Sequence, residues 1–191
     1  MSPREGCMDV SVDLPTLTEL RELDMYIRDE IPLQGDQGLG SVGLILCPEL
    51  EAGGYDCSPV NALTFARTGG DGDHYGLIEC GGEITESSPV VLTWTGEGTH
   101  TIVGESLYDF LCFGLHGGYF SILPGHGDEP TVQTEGLSFY SHVTEQQAEI
   151  LNLLCDELGL EPWPQPDRLA RFKAMQEEYL PLVIVPDEED W

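Results

Sequence analysis

An α+β fold is predicted by three observations along this chain: an alternating, turn-punctuated middle, and an amphipathic helical pattern at each end. In the middle, apolar and polar residues alternate from Leu63 to Glu79 on both sides of Thr68-Gly-Gly-Asp-Gly-Asp73. That turn is loaded with residues that tolerate positive φ or bond their own backbone, so the stretch reads as a β-hairpin. Near the start, Leu17, Leu20, Leu23, Ile27 and Ile31 recur close to helical spacing. Near the end, Ala148, Leu151, Leu154, Cys155 and Leu158 form a second stripe. The expected architecture is a mostly antiparallel sheet from Val42 to Val103, with helices from both ends covering one face.

Taken in order, residues 1–13 carry little pattern. Thr16 and Glu19 have capping-box spacing for the first helix, and Pro32 ends it. After the glycine-rich loop Gln34 to Gly43, the alternation of Val42, Leu44 and Leu46 predicts a strand ending at Pro48. Asn61 to Arg67 and His74 to Glu79 are the arms of the hairpin. Ser88 to Trp94 and Thr101 to Val103 bracket the turn Gly96-Glu-Gly98 as a second hairpin. Ser106 is a helix cap, with Leu107, Phe110 and Leu111 facing the sheet, and Gly117-Gly118 stops that helix. Phe120 to Leu123 is a candidate further strand, followed by turn-rich sequence from Pro124 to Gly136.

A second capping box, Thr144 with Gln147, opens the next helix, and Gly159 closes it. Pro162-Trp-Pro-Gln-Pro166 is a stiff connector. A last helix is expected from Asp167, with Leu169, Phe172, Met175 and Tyr179 or Leu180 inward and Pro181 at its end. Leu182 to Val185 is a candidate edge strand. With no repeat and no low-complexity linker, residues 1–191 read as a single domain with a helical extension over 144–180.

Phe65-Ala66, the Gly-Gly-Asp-Gly-Asp turn, Pro89-Val-Val91 and the strand that leads into Glu105-Ser-Leu-Tyr-Asp-Phe-Leu111 resemble the core of the SUKH superfamily. This family includes bacterial immunity proteins that neutralise toxins and the yeast cell-wall regulator from which it takes its name. The likeness covers residues 61–120; the family's opening helix and glycine-rich turn have only a weak counterpart before Gly54. The resemblance implies a sheet backed by a helix, and either a toxin-neutralising or a regulatory role without catalysis.

Charge narrows the function classes independently. The chain has 35 Asp and Glu against 7 Lys and Arg, a formal net charge of -28. Such a field repels nucleic acid and anionic membrane surfaces and draws in a cationic partner, an attraction that salt weakens. The same acidity also suits solubility in concentrated salt. Six cysteines lack Cys-x-x-Cys spacing, and neither a signal peptide nor a membrane-length apolar run is evident. The expectation is a reduced cytoplasmic protein.

Candidate chemistry is sparse. Asp71, Asp73 and His74 surround a Gly-rich turn, but the further acids of a helix-loop-helix calcium site are missing. Cys112 and His116 are four apart, yet Phe110, Leu111 and Phe113 predict an apolar setting that raises a thiol's pKa. The histidines lack zinc-site spacing, and Ser106 lacks the second glycine of a nucleophile elbow. No catalytic, metal or cofactor residue is therefore expected. The leading expectation is a binding protein for a basic, nuclease-like toxin, which it would occlude. Asp71, Asp73, Glu79, Glu83 and Glu86 around the first hairpin, with Trp163 and Trp191 as aromatic anchors, are its candidate contacts. The alternatives are a regulatory scaffold and a hydrolase or metal-dependent enzyme built from dispersed residues.

Overall fold

The computed structural model describes residues 12–31, 38–69, 72–119, 144–164 and 168–186. Five strands form one antiparallel sheet in chain order: β1 (Ile45–Ala52), β2 (Ala62–Arg67), β3 (His74–Ile78), β4 (Val90–Trp94) and β5 (Thr99–Gly104). The helices are α1 (Pro15–Glu30), α2 (Leu107–Gly114), α3 (Glu145–Leu158) and α4 (Arg168–Tyr179). The α+β class is thus observed. The candidate strand from Phe120 to Leu123 lies outside the described residues.

Several boundaries differ from the sequence reading for local reasons. Pro15 occupies the first turn of α1, where its missing N–H costs nothing, and Leu14 rather than Thr16 stands at the cap. The end is closed from elsewhere: the Thr16 N–H donates to the carboxylate of Glu86. The expected strand beginning at Val42 is instead a 3-10 turn, Gly38–Val42, tied to α1 where the Leu39 N–H donates to Asp24 at 2.7 Å. β1 starts later and continues through Pro48, which the ladder tolerates because β1 is an edge strand with a register irregularity between Leu46 and Glu51. Leu182 to Val185 do not form a strand. That segment is held by Asn61, whose amide donates to the Leu182 carbonyl at 2.9 Å and accepts from the Ile184 N–H at 3.0 Å.

Register sorts the sheet into two faces. Tyr75 opposes Leu92 and Leu77 opposes Val90, and these point into the main core. Phe110 of α2 lies 4.8 Å from the Tyr75 ring, 5.0 Å from that of Tyr119 and 5.7 Å, edge-on, from that of Phe65. Gly104 permits this: a Cβ there would stand 2.6 Å from the Phe110 backbone nitrogen. As expected, Ser106 caps α2 by accepting from the Asp109 N–H. The opposite face carries Ala62, Thr64, Gly76, Val91 and Thr93, covered by the 53–60 loop rather than by a helix.

The C-terminal helices follow from their stop and start signals. Thr144 and Gln147 form the reciprocal capping box, and Gly159 ends α3 at φ 60°. Gln176 of α4 bonds both ways with Ile102, accepting from its N–H at 2.9 Å and donating to its carbonyl at 2.7 Å. It satisfies the free edge of β5 as a further strand would.

Candidate partner-binding surface

The acids expected to act together are separated by the fold. Asp73, half-buried at the head of β3, accepts from the backbone N–H and the hydroxyl of Thr95 at 2.9 and 3.2 Å. Glu79, Glu83 and Glu86 sit beyond the other end of that strand, roughly 20 Å away at about 3.3 Å per residue. Glu79 and Glu83 are exposed, while Glu86 is half-buried and occupied with the start of α1. Asp71 and Trp191 lie outside the described residues.

Trp163, expected as an aromatic anchor for a partner, is instead buried within the chain. It is 3% exposed, and its indole N–H donates to Asp109 Oδ1 at 2.9 Å. Its ring lies 4.7 Å from that of Phe113, with the Arg171 guanidinium 4.3 Å from its centre. The flanking prolines fix the connector, but the large aromatic ring and its single donor find a buried partner in the first turn of α2. Burial pushes the Asp109 carboxyl up, and the hydrogen bond from the Glu105 N–H, with Arg171 and Trp163, opposes that shift.

A polar cluster that the sequence did not suggest lies under the 53–60 loop. His74 Nδ1 donates to the Gly72 carbonyl at 2.9 Å, which leaves Nε2 to accept from the Ser58 hydroxyl at 3.2 Å. Tyr55 stacks on the same imidazole at 5.9 Å, and His100 Nε2 reaches the Cys57 carbonyl at 2.8 Å. Ser58 and His74 have the connectivity of a nucleophile and its base. Both are buried, however, and the space bounded by Ser58, His74 and Thr93 has no room for a water. As built, the pair latches the loop to the sheet. These residues are sixteen positions apart on a coil and a strand, a distance at which sequence carries no pairing signal.

Cys112 and His116 are both buried, and burial pushes the Cys112 thiol up, as its apolar neighbours predict. The described cysteines are all free thiols. Among the described residues, no group of three His, Cys, Asp or Glu could hold a metal ion, and no helix is long and apolar enough to cross a membrane.

A concave surface open to solvent runs between α1 and α3. Two adjoining hollows of about 390 and 710 Å³ share Tyr26 and Leu153. Leu23, Ile31, Ala148 and Leu158 complete an apolar floor, and Tyr26 is 53% exposed on it. Glu19, Glu22 and Glu30 form the α1 rim; Glu145, Glu149, Asp156 and Glu157 form the α3 rim. No Lys or Arg is among the described lining residues.

Comparison with family models, with curated proteins and with solved structures finds no match in any of the three. The SUKH likeness accordingly rests on the residues quoted for it.

Proposed function

We propose that this protein is a non-enzymatic binder of a basic protein, of the immunity type, which neutralises a cationic nuclease-like toxin by covering its substrate-binding surface. The observation that carries this reading is the acid surplus: with 35 acids and 7 Lys and Arg, the chain has one base for every five acids. Arg28, Arg67 and Arg171 are already committed to Asp24, Glu51, and Glu105 with Asp109. The remaining carboxylates present a field that imitates a polyanion, speeds encounter with a cation and turns nucleic acid away. The five-stranded sheet backed by α2 is consistent with the SUKH likeness over residues 61–120.

The test is co-purification at low ionic strength, followed by salt elution and a nuclease assay. The expected result is a basic protein released by salt, whose nuclease activity one equivalent of the purified chain suppresses. Elution of no basic protein overturns the reading. One observation favours a second reading, a hydrolase: the Ser58–His74 pair. Covalent labelling of Ser58 by a fluorophosphonate would decide for that class, because it requires the hydroxyl to be both activated and reachable.

A further inference from the structure

We propose that the groove between α1 and α3 is the docking site for a basic amphipathic helix of three to four turns. This rests on the reading of the protein as an acidic binder and assigns it a contact surface and a partner shape. The two helices run antiparallel along the groove, since Glu19 and Leu23 share one hollow with Glu157 and Leu158, while Glu30 and Ile31 share the next with Glu145 and Ala148. From Glu19 to Ile31 the floor extends about 18 Å at 1.5 Å per residue, the length of a helix of about 12 residues. A third helix laid there would bury one apolar stripe on Leu23, Tyr26, Leu153 and Leu158 and complete a three-helix arrangement.

Charge selects among occupants. Both rims are acidic along their whole length, so the flanks of the incoming helix must carry Lys or Arg. A second copy of this chain, at -28, is repelled from such a groove. The chain's own segment 120–143 carries Asp128, Glu129 and Glu135 and no Lys or Arg, and so has no means of neutralising the rims. Tyr26, shared by both hollows and half-exposed at the middle of the floor, has the properties of an interface anchor: a large rigid ring with a polar tip.

The experiment uses the full chain and two fluorescein-labelled 14-residue peptides of identical Leu, Lys and Arg composition. One has its leucines at i, i+4, i+7 and i+11, and the other has the order scrambled so that no stripe forms. A third peptide keeps the stripe but replaces its bases with Glu. The striped basic peptide is expected to bind at least tenfold more tightly than the scrambled one, and Tyr26→Ala to remove that difference without changing the melting temperature. Glu22→Lys with Glu149→Lys should weaken the striped peptide a further several-fold, and the Glu-flanked peptide should not bind.

Equal binding of the striped and scrambled peptides, indifferent to Tyr26→Ala, overturns the groove while leaving the acidic-binder reading standing. Failure of every basic peptide at low salt overturns both. A photo-crosslinker at position 26 that reacts with residues 120–143 in the free protein, or a sedimentation change on Tyr26→Ala, gives the groove to the chain itself or to a second copy and also overturns the proposal.

Discussion

The two faces of the sheet are closed by different means, and side-chain size decides which. On one face Tyr75, Leu77 and Leu92 are fully buried and large enough to meet a helix at ordinary packing distance, and α2 supplies Phe110 to the gap between them. On the other, Ala62, Thr64 and Gly76 leave a shallow floor on which a helix would stand off, so the chain crosses it as the 53–60 loop. The first closure is apolar and tolerates a change of pH. The second depends on hydrogen bonds of Ser58 and His74, and one of them, the Ser58 hydroxyl donating to Nε2, requires a neutral imidazole. The same molecule therefore has a robust side and a conditional one.

The largest effect should come from the aromatic face. Phe110→Ala removes the ring that contacts Phe65, Tyr75 and Tyr119 and leaves a cavity among fully buried neighbours. The expected loss is about 3–5 kcal/mol, read by urea denaturation. A loss below about 1 kcal/mol would mean that α2 is not seated on the sheet as described.

The opposite face should break through its closest approach. A Cβ on Gly53 would stand 2.2 Å from Ser58 Cβ and 3.1 Å from His74 Nε2, so Gly53→Ala cannot coexist with the latch. We expect a destabilisation of about 1–3 kcal/mol, with fast amide exchange confined to 53–60 rather than spread through the sheet. Exchange that rose equally in β3 and β4 would show that the two faces are not independently closed.

The contrast between the faces also marks what was readable in the sequence. The hairpin from Leu63 to Glu79, the caps at Ser106 and Thr144 and the stop at Gly159 follow short-range rules, and all occur. What failed depended on distant partners. Thr16 has the right spacing to cap α1, but Glu86, seventy residues later, reaches that helix end first. Trp163 lies among prolines that suggest a surface, yet Asp109 and Phe113 await it in the core. The Ser58–His74 latch and the α1/α3 groove exist only once loops and helices from different parts of the chain meet. None of the described contact candidates lines the groove, whose acids are spread over two helices that look like ordinary solvated faces one at a time.

A smaller test sharpens the apolar side. Ser106→Ala removes the side-chain acceptor for the Asp109 N–H at the start of α2. A cost of about 1 kcal/mol is expected, with no change in its pH dependence.

The smallest effect, and the one that separates the two closures most directly, is the response of His74 to acid. Burial holds its pKa below the ordinary 6.5, and the Arg67 charge opposite it on β2 acts in the same direction, while the Gly72 carbonyl and Asp73 oppose them. His100 beside it shifts the same way, chiefly by burial. The unfolded chain therefore binds a proton at a pH where the folded chain does not, so stability rises with pH across this interval. The contribution is complete above pH 6.5 and is lost as the pH falls from there through the lower folded value. One proton limits the slope to about 1.4 kcal/mol per pH unit. Acid also relieves the self-repulsion of a chain at -28, so the raw stability curve mixes opposing trends. The informative quantity is the difference between the native protein and His74→Gln, which should narrow steadily from pH 7 to pH 5 because only the native protein carries an imidazole at this position for acid to protonate. A difference that stays constant over that range would show that Ser58 does not depend on a neutral imidazole, and the loop face would then be as indifferent to acid as the aromatic one.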